Sequence, residues 1–318
     1  MTKRIIITAA TKTTLELLQT LKKFDGIYKE DEINEIAARK KEAIPLLVDI
    51  LKNAIDNARD YSNEEEGLFD HIYAFHLLGI FSEESAHKTI IDIVSLPSDT
   101  VESMFGDIVT DDLAIVLCRT YDDLSKIKAL IEDKDAYIYV RNQAVDALAY
   151  LMAEGELSRD ELMEYYKSLL VNLPEDKENA QLLGTVICTI CDTYPEELED
   201  EIKKAFEAGR VDECYIGFNS VERTLKENKQ DLLSSFSDKI CDCHLWYDDL
   251  HALKSLPCFN AKNATINTST LERMENEIAR LAAERASENE RVKAVRKKTK
   301  SKKKQAKKSK KSNRKKKK

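Results

Sequence analysis

The sequence is poor in glycine and proline, with 8 and 5 residues respectively in a chain of 318. Turn-rich β proteins and collagen-like chains need far more of both, so this composition disfavours them. Hydrophobic residues make up 42% of the chain, which is enough for a buried core and excludes disorder throughout. Leu, Ile, Ala, Glu and Lys dominate, and because most of them favour helices, the sequence predicts an all-α fold.

Long apolar runs are also missing. No stretch reaches the roughly 18 to 20 uncharged apolar residues that a membrane-spanning helix needs. The apolar run at residues 5–7 is far too short for the core of a secretory signal. The 7 cysteines lack the regular spacing of a disulfide framework, which indicates reduced thiols. Together these features predict a cytoplasmic protein that makes no membrane contact.

Charge is divided unequally along the chain. Residues 291–318 contain 18 Lys or Arg and no Asp or Glu, which leaves 32 basic and 58 acidic residues, a net charge of -26, for residues 1–290. A block of like charge repels itself and stays disordered, and a basic block attracts polyanions. The overall charge of -8 therefore averages an acidic body and a basic tail.

Helix signals recur through the body. Thr13 or Thr14 is placed to cap a first helix, and Pro45 fits the first turn of the second helix of a hairpin, where its missing N–H needs no partner. Ser82 is expected to cap a further helix. Ser158 and Glu161 have the spacing of a capping box. Helices of roughly 10 to 18 residues with short polar turns leave two architectures open, a globular bundle and a solenoid of stacked hairpins, and the loop spacing favours the solenoid.

Residues 140–148, Val-Arg-Asn-Gln-Ala-Val-Asp-Ala-Leu, resemble the first helix of a HEAT repeat of the phycobilisome-lyase-like type. In that family the arginine, here Arg141, braces neighbouring repeats. Residues 44–47, Ile-Pro-Leu-Leu, resemble the proline-containing helices of the same superfamily. The resemblance implies a HEAT-like α-α solenoid.

A second resemblance is more specific. Segments 95–97, 105–113, 139–141 and 153–158 resemble an uncharacterised bacterial family that is known only as a domain of unknown function. The likeness extends over roughly residues 30 to 260. It implies a fold and no established activity.

Three regions are expected. Residues 1–260 form the HEAT-like domain, residues 261–298 a linker and a long charged amphipathic helix, and residues 299–318 a disordered Lys-rich tail. Within 271–295, apolar residues follow a 3,4 spacing, so the first half of this helix could support weak self-association. Arg285 and Glu288 interrupt the seam, so its second half favours a solvated single helix.

Catalytic motifs are absent from the sequence. There is no phosphate-binding Gly-x-x-x-x-Gly-Lys-Ser/Thr loop, no Gly-x-Ser-x-Gly elbow and no His-Glu-x-x-His, so we expect neither an enzyme nor a cofactor. The acidic groups at 64–66 and 111–112 could be acid–base pairs or metal ligands, but each lies where a helix start favours negative charge, and we interpret both as helix caps. Cys188 and Cys191 lie in an apolar helical run, which favours core packing over redox chemistry.

One cluster contains residue types that bind structural zinc. It consists of Cys241, Cys243 and His244, with Cys258 further along the chain. If this segment is helical, Cys241 and His244 share a face while Cys243 points away. The irregular spacing favours buried thiols over a metal site. We therefore expect no metal, and zinc is left as the open alternative.

The basic tail is the candidate binding segment. It has no aromatic residue to stack on bases, so it predicts contact with the phosphates of RNA, the ribosome or DNA, with no readout of base sequence. The alternative is a solubilising tail that also attracts the acidic body. The candidate nucleic-acid-binding residues are Lys297, Lys298, Lys300, Lys302, Lys303, Lys304, Lys307, Lys308, Lys310, Lys311, Arg314, Lys315, Lys316, Lys317 and Lys318.

The sequence thus favours a non-enzymatic interaction scaffold. The solenoid would bind a protein partner that the sequence does not identify, and the tail would contact nucleic acid or the ribosome. The alternative is a HEAT-repeat enzyme acting on nucleic acid, which a body of net charge -26 would repel unless its basic residues share one face.

Overall fold

The computed structural model describes residues 12–248 and 250–259, which fall within one compact unit ending at Phe259. In this part of the chain the regular structure is helical, apart from an isolated antiparallel bridge between Lys23 and Leu68. The prediction of an all-α fold is therefore confirmed. The predicted helix within 261–298 and the candidate residues at 297–318 lie outside the described residues, and the predicted domain boundaries stay predictions.

The first half of the described residues contains eight α-helices, of which α4 is a single turn. Their bounds are α1 Thr14–Thr20, α2 Glu30–Ala38, α3 Lys40–Asp56, α4 Ala58–Tyr61, α5 Asp70–Ile80, α6 His87–Val94, α7 Ser98–Phe105 and α8 Ile108–Arg119. Short 3-10 turns at Glu64–Glu66 and Glu84–Ala86 precede α5 and α6.

The second half contains α9 Leu124–Glu132, α10 Ile138–Glu154, α11 Arg159–Asn172, α12 Lys177–Asp192, α13 Glu199–Glu207, α14 Phe218–Thr224, α15 Lys229–Asp248 and α16 His251–Lys254. A 3-10 turn at Glu196–Leu198 precedes α13, and another at Pro257–Phe259 follows α16. The longest of these helices, α15, determines where the candidate site forms.

Of four predicted helix starts, at Thr13 or Thr14, Pro45, Ser82 and Ser158, two are confirmed and two are wrong. Thr13 opens α1 and Ser158 opens α11, each through a complete capping box. Pro45, in contrast, lies inside α3, because that helix already begins at Lys40, directly after the break at Arg39. Ser82 caps no helix: its backbone adopts a left-handed conformation with φ of 49°, and it lies ahead of the turn that leads into α6.

The core is a row of helices in which α3 packs on α5, α5 on α8, α8 on α10, and α10 on α12. Helices α5 and α8 bury side chains on all sides, from Asp70 to Gly79 and through most of 109–118. Helices that are apolar on every side belong in the interior between neighbours. Helices α6 and α9 pack on α3 and α10 respectively and also contact each other.

Among the residues that the structure describes, Arg141 is the largest side chain that is almost completely buried, with 1% of its surface exposed. Its Nε donates to the carbonyl of Ile131 at 2.8 Å, and its Nη2 donates to Oδ1 of Asn179 at 3.0 Å. These two bonds link α10 to α9 and to α12. Arg141 thus connects α10 to two helices that pack against it.

The last helices return across the body to its N-terminal end. Helix α15 packs on α12 and α10, and α16 packs on α5. Lys254 reaches Glu30 of α2 at 3.0 Å, and the ring of Phe259 lies 5.8 Å from that of Phe24. Helix α15 therefore crosses the row formed by α5, α8, α10 and α12. In the described part of the chain, none of the helices combines the length and apolarity needed to cross a bilayer.

Candidate functional site

A buried polar contact fixes α15 to the core. Nδ1 of His76 on α5 lies 2.8 Å from the hydroxyl oxygen of Tyr247 on α15, and both side chains are almost fully buried. Gly79 lies one turn further along α5, and a methyl group there would come within 3.1 Å of the Tyr247 ring. The absence of a side chain at Gly79 therefore lets the Tyr247 ring approach α5.

Asp112 on α8 lies beside this contact. Its Oδ2 is 3.9 Å from Nε2 of His76, beyond hydrogen-bonding distance, and only 8% of its surface is exposed. Within the described residues neither Asp112 nor Nε2 of His76 has a hydrogen-bond partner. Burial, together with the neighbouring Asp111, raises the pKa of Asp112 to about 7. Burial lowers the pKa of His76 to about 3, so its imidazole is neutral at physiological pH.

A cleft of about 610 Å³ opens between α8, α10 and α15, with Asp112 and Tyr247 in its lining. We refer to it as the acidic cleft. Its walls include Ile115, Tyr150 and the half-exposed Trp246. Its charged lining residues are Asp111, Asp112, Asp238, Asp242 and Lys239. Four carboxyl groups thus share the cleft with one ammonium group.

Lys239 also faces a carboxyl group deeper in the fold. Asp146 on α10 accepts a hydrogen bond of 2.8 Å from the hydroxyl of Thr189 on α12. Burial raises the pKa of Asp146 to about 6, against the opposing effects of Thr189 and of the Lys239 ammonium. The positive charge of Lys239 is therefore shared between Asp146 and the cleft. The charged groups that line the cleft consequently carry an excess of negative charge.

A second cavity, of about 650 Å³, lies beside α15 and is lined by Arg119, Glu154, Cys241 and His244. Here Nε2 of His244 is 3.0 Å from a carboxylate oxygen of Glu154 on α10. The thiol of Cys118 on α8 donates to the other carboxylate oxygen at 3.4 Å. The ligand atoms of Cys118, Glu154 and His244 all lie within 4.8 Å of one another.

Arg119 decides what this cluster can bind. Its guanidinium donates to the carbonyls of Gly79 at 2.8 Å and Ile80 at 3.1 Å, pairs with Asp248, and lies 3.2 Å from Nδ1 of His244. Because arginine can only donate, Nδ1 accepts, and a neutral imidazole then carries its proton on Nε2, facing Glu154.

A cation at this cluster would have to displace that proton and approach the guanidinium. Burial also raises the pKa of the Cys118 thiol, with Glu154 adding to the effect, so the sulfur is protonated. The residues therefore fit a hydrogen-bonded clamp between α8, α10 and α15 better than they fit a metal site.

The cysteines and the histidine that raised the zinc question are separated by the fold. Cys241 and His244 line the second cavity, whereas Cys243 lines the acidic cleft, as expected for residues on opposite faces of one helix. Cys258 lies in the 3-10 turn after α16. Cys188 and Cys191 lie within α12, where burial raises the pKa of both thiols.

The interpretation of residues 111–112 as a helix cap is wrong for Asp112. Helix α8 begins at Ile108, so Asp111 lies in its exposed first turn, whereas Asp112 turns inward to the cleft. Sequence reasoning also missed Arg119, Tyr150 and Tyr247, which meet only through the return of α15. The one local signal of the site in the sequence was Asp112, which lies among the apolar residues of α8.

These observations define an all-α protein in which a C-terminal helix crosses the core and borders an acidic cleft. The chain belongs to the DUF1186 family, described as a protein of unknown function, whose profile matches residues 13–260. The family predicted from the sequence is thus confirmed at the level of a bacterial domain of unknown function.

Two relatives come from Chlamydia. An uncharacterized protein of Chlamydia muridarum (strain MoPn / Nigg) is 32% identical over 217 residues, covering 68% of this chain and 86% of the relative. An uncharacterized protein of Chlamydia trachomatis serovar D is 31% identical over 217 residues, covering 68% of this chain and 85% of the relative. No solved structure matches the chain.

Proposed function

We propose that this protein is a non-enzymatic interaction protein with two binding parts. The helical body is a HEAT-like stack of hairpins that binds a protein partner, and the Lys-rich segment after residue 296 contacts RNA, the ribosome or DNA. The HEAT-like arrangement is supported by the row of helices α3, α5, α8, α10 and α12 and by the links that Arg141 makes from α10 to α9 and to α12.

The observation that carries the proposal is the separation of charge. Residues 291–318 have 18 positive charges and no negative one, while the preceding 290 residues have a net charge of -26. Such a segment binds phosphates through the release of counterions, which needs no folded site. The body would repel the same nucleic acid, so contact is expected to depend on the tail.

An enzyme acting on nucleic acid is the second candidate. It would depend on Asp112, because a carboxyl group with a pKa of about 7 can act as a general acid at neutral pH. The cleft counts against a phosphate-bearing substrate, since four carboxyl groups and one lysine line it. We therefore favour binding over catalysis.

The test compares the full chain with a chain lacking residues 291–318. Binding of fluorescently labelled RNA is measured across a salt series, beside affinity capture from lysate with and without nuclease. The full chain is expected to bind with an affinity that falls steeply as salt rises, and the shortened chain is expected to lose this binding while keeping its helicity and melting temperature. Equal binding by the shortened chain would overturn the proposal.

A further inference from the structure

Helix α15 places two neighbouring apolar side chains on the surface of the body. Leu245 exposes 63% of its surface and Trp246 exposes 48%. The opposite face of the helix buries Phe236, Ile240 and Tyr247 against the core. A surface helix normally turns polar side chains to the solvent and apolar ones to the core. Leu245 and Trp246 therefore form apolar surface that packing within the described residues leaves exposed.

Carboxylates share this outer face of α15. Asp238, Asp242 and Leu245 are spaced by four and by three residues, which places them along one side of the helix. Both aspartates are exposed. We refer to Asp238, Asp242, Leu245 and Trp246 as the α15 ridge. The ridge thus combines exposed apolar surface with exposed negative charge.

The acidic cleft adjoins the α15 ridge, because Trp246 and both aspartates of the ridge also line the cleft. Ile115 and Tyr150 add apolar surface to its lining. On the α8 side the lining includes Asp111, which is exposed in the first turn of that helix. The ridge and the cleft together form an apolar groove of about 610 Å³ with carboxylates on its α8 side and on its α15 side.

This combination indicates the chemistry of a partner. An apolar patch with a polar rim is typical of protein–protein sites, and tryptophan is among the residues that contribute most to binding when a partner buries it. An amphipathic helix inserts apolar side chains from every third or fourth position into such a groove. The carboxylates at the rim attract lysine or arginine beside that apolar stripe and repel an acidic partner. The groove therefore fits a basic amphipathic helix.

We propose that the α15 ridge and the acidic cleft bind a basic amphipathic helix of a partner protein. The apolar stripe of that helix lies against Leu245 and Trp246, and its lysine or arginine side chains face the two aspartates of the ridge. This inference rests on the proposed function in one respect, that the body binds a protein partner. Nucleic acid takes no part in it, so the inference and the RNA-binding role of the tail can fail separately.

The probe is a designed peptide of about 20 residues that forms a helix with leucine on one face and lysine on both flanks of that face. A control peptide of the same composition distributes its leucines around the helix. Both peptides carry a fluorescent label, and their binding to the full chain is followed by anisotropy. We expect the peptide with the leucine stripe to bind at least about five-fold more tightly than its control. Equal binding, or no binding of either peptide, would overturn the proposal.

The apolar part of the surface is tested with Leu245→Ser. Leu15→Ser on α1 is the matched control, because Leu15 is also an exposed leucine, with 53% of its surface accessible. Both variants should keep the melting temperature of the wild type, which is checked first. We expect Leu245→Ser to weaken binding of the striped peptide at least about five-fold relative to Leu15→Ser. Equal affinities of these two variants would place the peptide elsewhere on the body and would contradict the proposal.

The charged part of the surface is tested with Asp238→Asn/Asp242→Asn. The control pair is Asp56→Asn/Asp135→Asn, because both carboxylates are exposed, lie outside the cleft and give the same change in net charge. We expect the ridge pair to bind the striped peptide about five-fold more weakly than the control pair at low salt. If both pairs bound it equally, the attraction would come from the overall charge of the body, and the proposed surface would be wrong.

Trp246 is the only tryptophan in the sequence, so tryptophan fluorescence reports on the α15 ridge alone. Adding the unlabelled striped peptide to the full chain should shift the emission to shorter wavelength, because docking removes the indole from water. Emission that a saturating amount of peptide leaves unchanged would show that the peptide binds elsewhere. A shift of the free protein to longer wavelength on dilution would show that a second copy covers the ridge. Either result would overturn the proposal.

Discussion

The hydroxyl of Tyr247 lies 2.8 Å from Nδ1 of His76, a contact between residues 171 positions apart in the sequence. It fixes α15 to α5 at the point where Gly79 leaves room for the tyrosine ring. On one side of this contact lies the acidic cleft, and on the other Arg119 clamps α15 to the end of α5. The position of Tyr247 therefore governs both cavities beside α15.

Replacing Tyr247 with phenylalanine should destabilise the body by about 1–3 kcal/mol, because the buried Nδ1 of His76 loses its partner while the ring volume is kept. The measurement is the free energy of unfolding in urea. Tyr139→Phe, at a tyrosine with 39% of its surface exposed, is the control and should change stability little. If Tyr247→Phe lowered the free energy of unfolding no more than Tyr139→Phe does, the Tyr247–His76 hydrogen bond would contribute nothing to stability.

Arg119→Lys should loosen α15 although the charge is retained. The guanidinium bonds to four groups, namely two backbone carbonyls, the imidazole of His244 and the carboxylate of Asp248. A lysine ammonium group at this position cannot reach all four. We expect a loss of about 1–3 kcal/mol and faster amide hydrogen exchange in residues 229–248. Arg223→Lys, at an exposed arginine of α14, is the matched control. Unchanged exchange in α15 would show that Arg119 does not hold it.

Asp112→Asn should change the dependence of stability on pH. The folded state raises the pKa of Asp112 from 3.8 to about 7, so the folded protein holds a proton that the unfolded chain releases between these values. The wild-type carboxyl group therefore destabilises the fold progressively as pH rises from about 4 to 7.

We expect Asp112→Asn to match the wild type near pH 4 and to be more stable at pH 8, by up to about 4 kcal/mol. Urea unfolding is measured at both values in about 0.5 M salt, which screens long-range charge interactions. Asp135→Asn should show no such difference between the two pH values. A stability difference that is the same at pH 4 and pH 8 would contradict a raised pKa for Asp112.

Zinc should not stabilise the protein through Cys118, Glu154 and His244. The Arg119 guanidinium sets the proton of His244 on Nε2, and a cation would have to displace it. An equimolar amount of zinc is therefore expected to leave the melting temperature unchanged in the wild type and in His244→Ala alike. A rise in the wild type that His244→Ala abolishes would establish a metal site, because a ligand that binds the folded state raises its stability.

Local signals in the sequence were sufficient for the helical class and for several helix boundaries. The capping boxes at Thr13 and Ser158 could be predicted from the sequence because each depends on two residues that are three positions apart. The face shared by Cys241 and His244 followed from helix periodicity alone.

The candidate site could not be predicted in the same way. Asp112 was interpreted as a cap because an acidic residue near a helix start has a sufficient local explanation. Its burial depends on α15, which returns over α8 more than one hundred residues later, and no local pattern encodes that return. His76 and Tyr247 are 171 residues apart, so their contact is a property of the assembled fold.

Binding of labelled RNA to the full chain and to a chain lacking residues 291–318, measured across a salt series, tests the central claim most directly, because that segment holds 18 basic residues and no acidic one. We predict that the full chain binds at low salt with an affinity that falls steeply as salt rises, and that the shortened chain does not bind. Equal binding by the two chains would contradict the account.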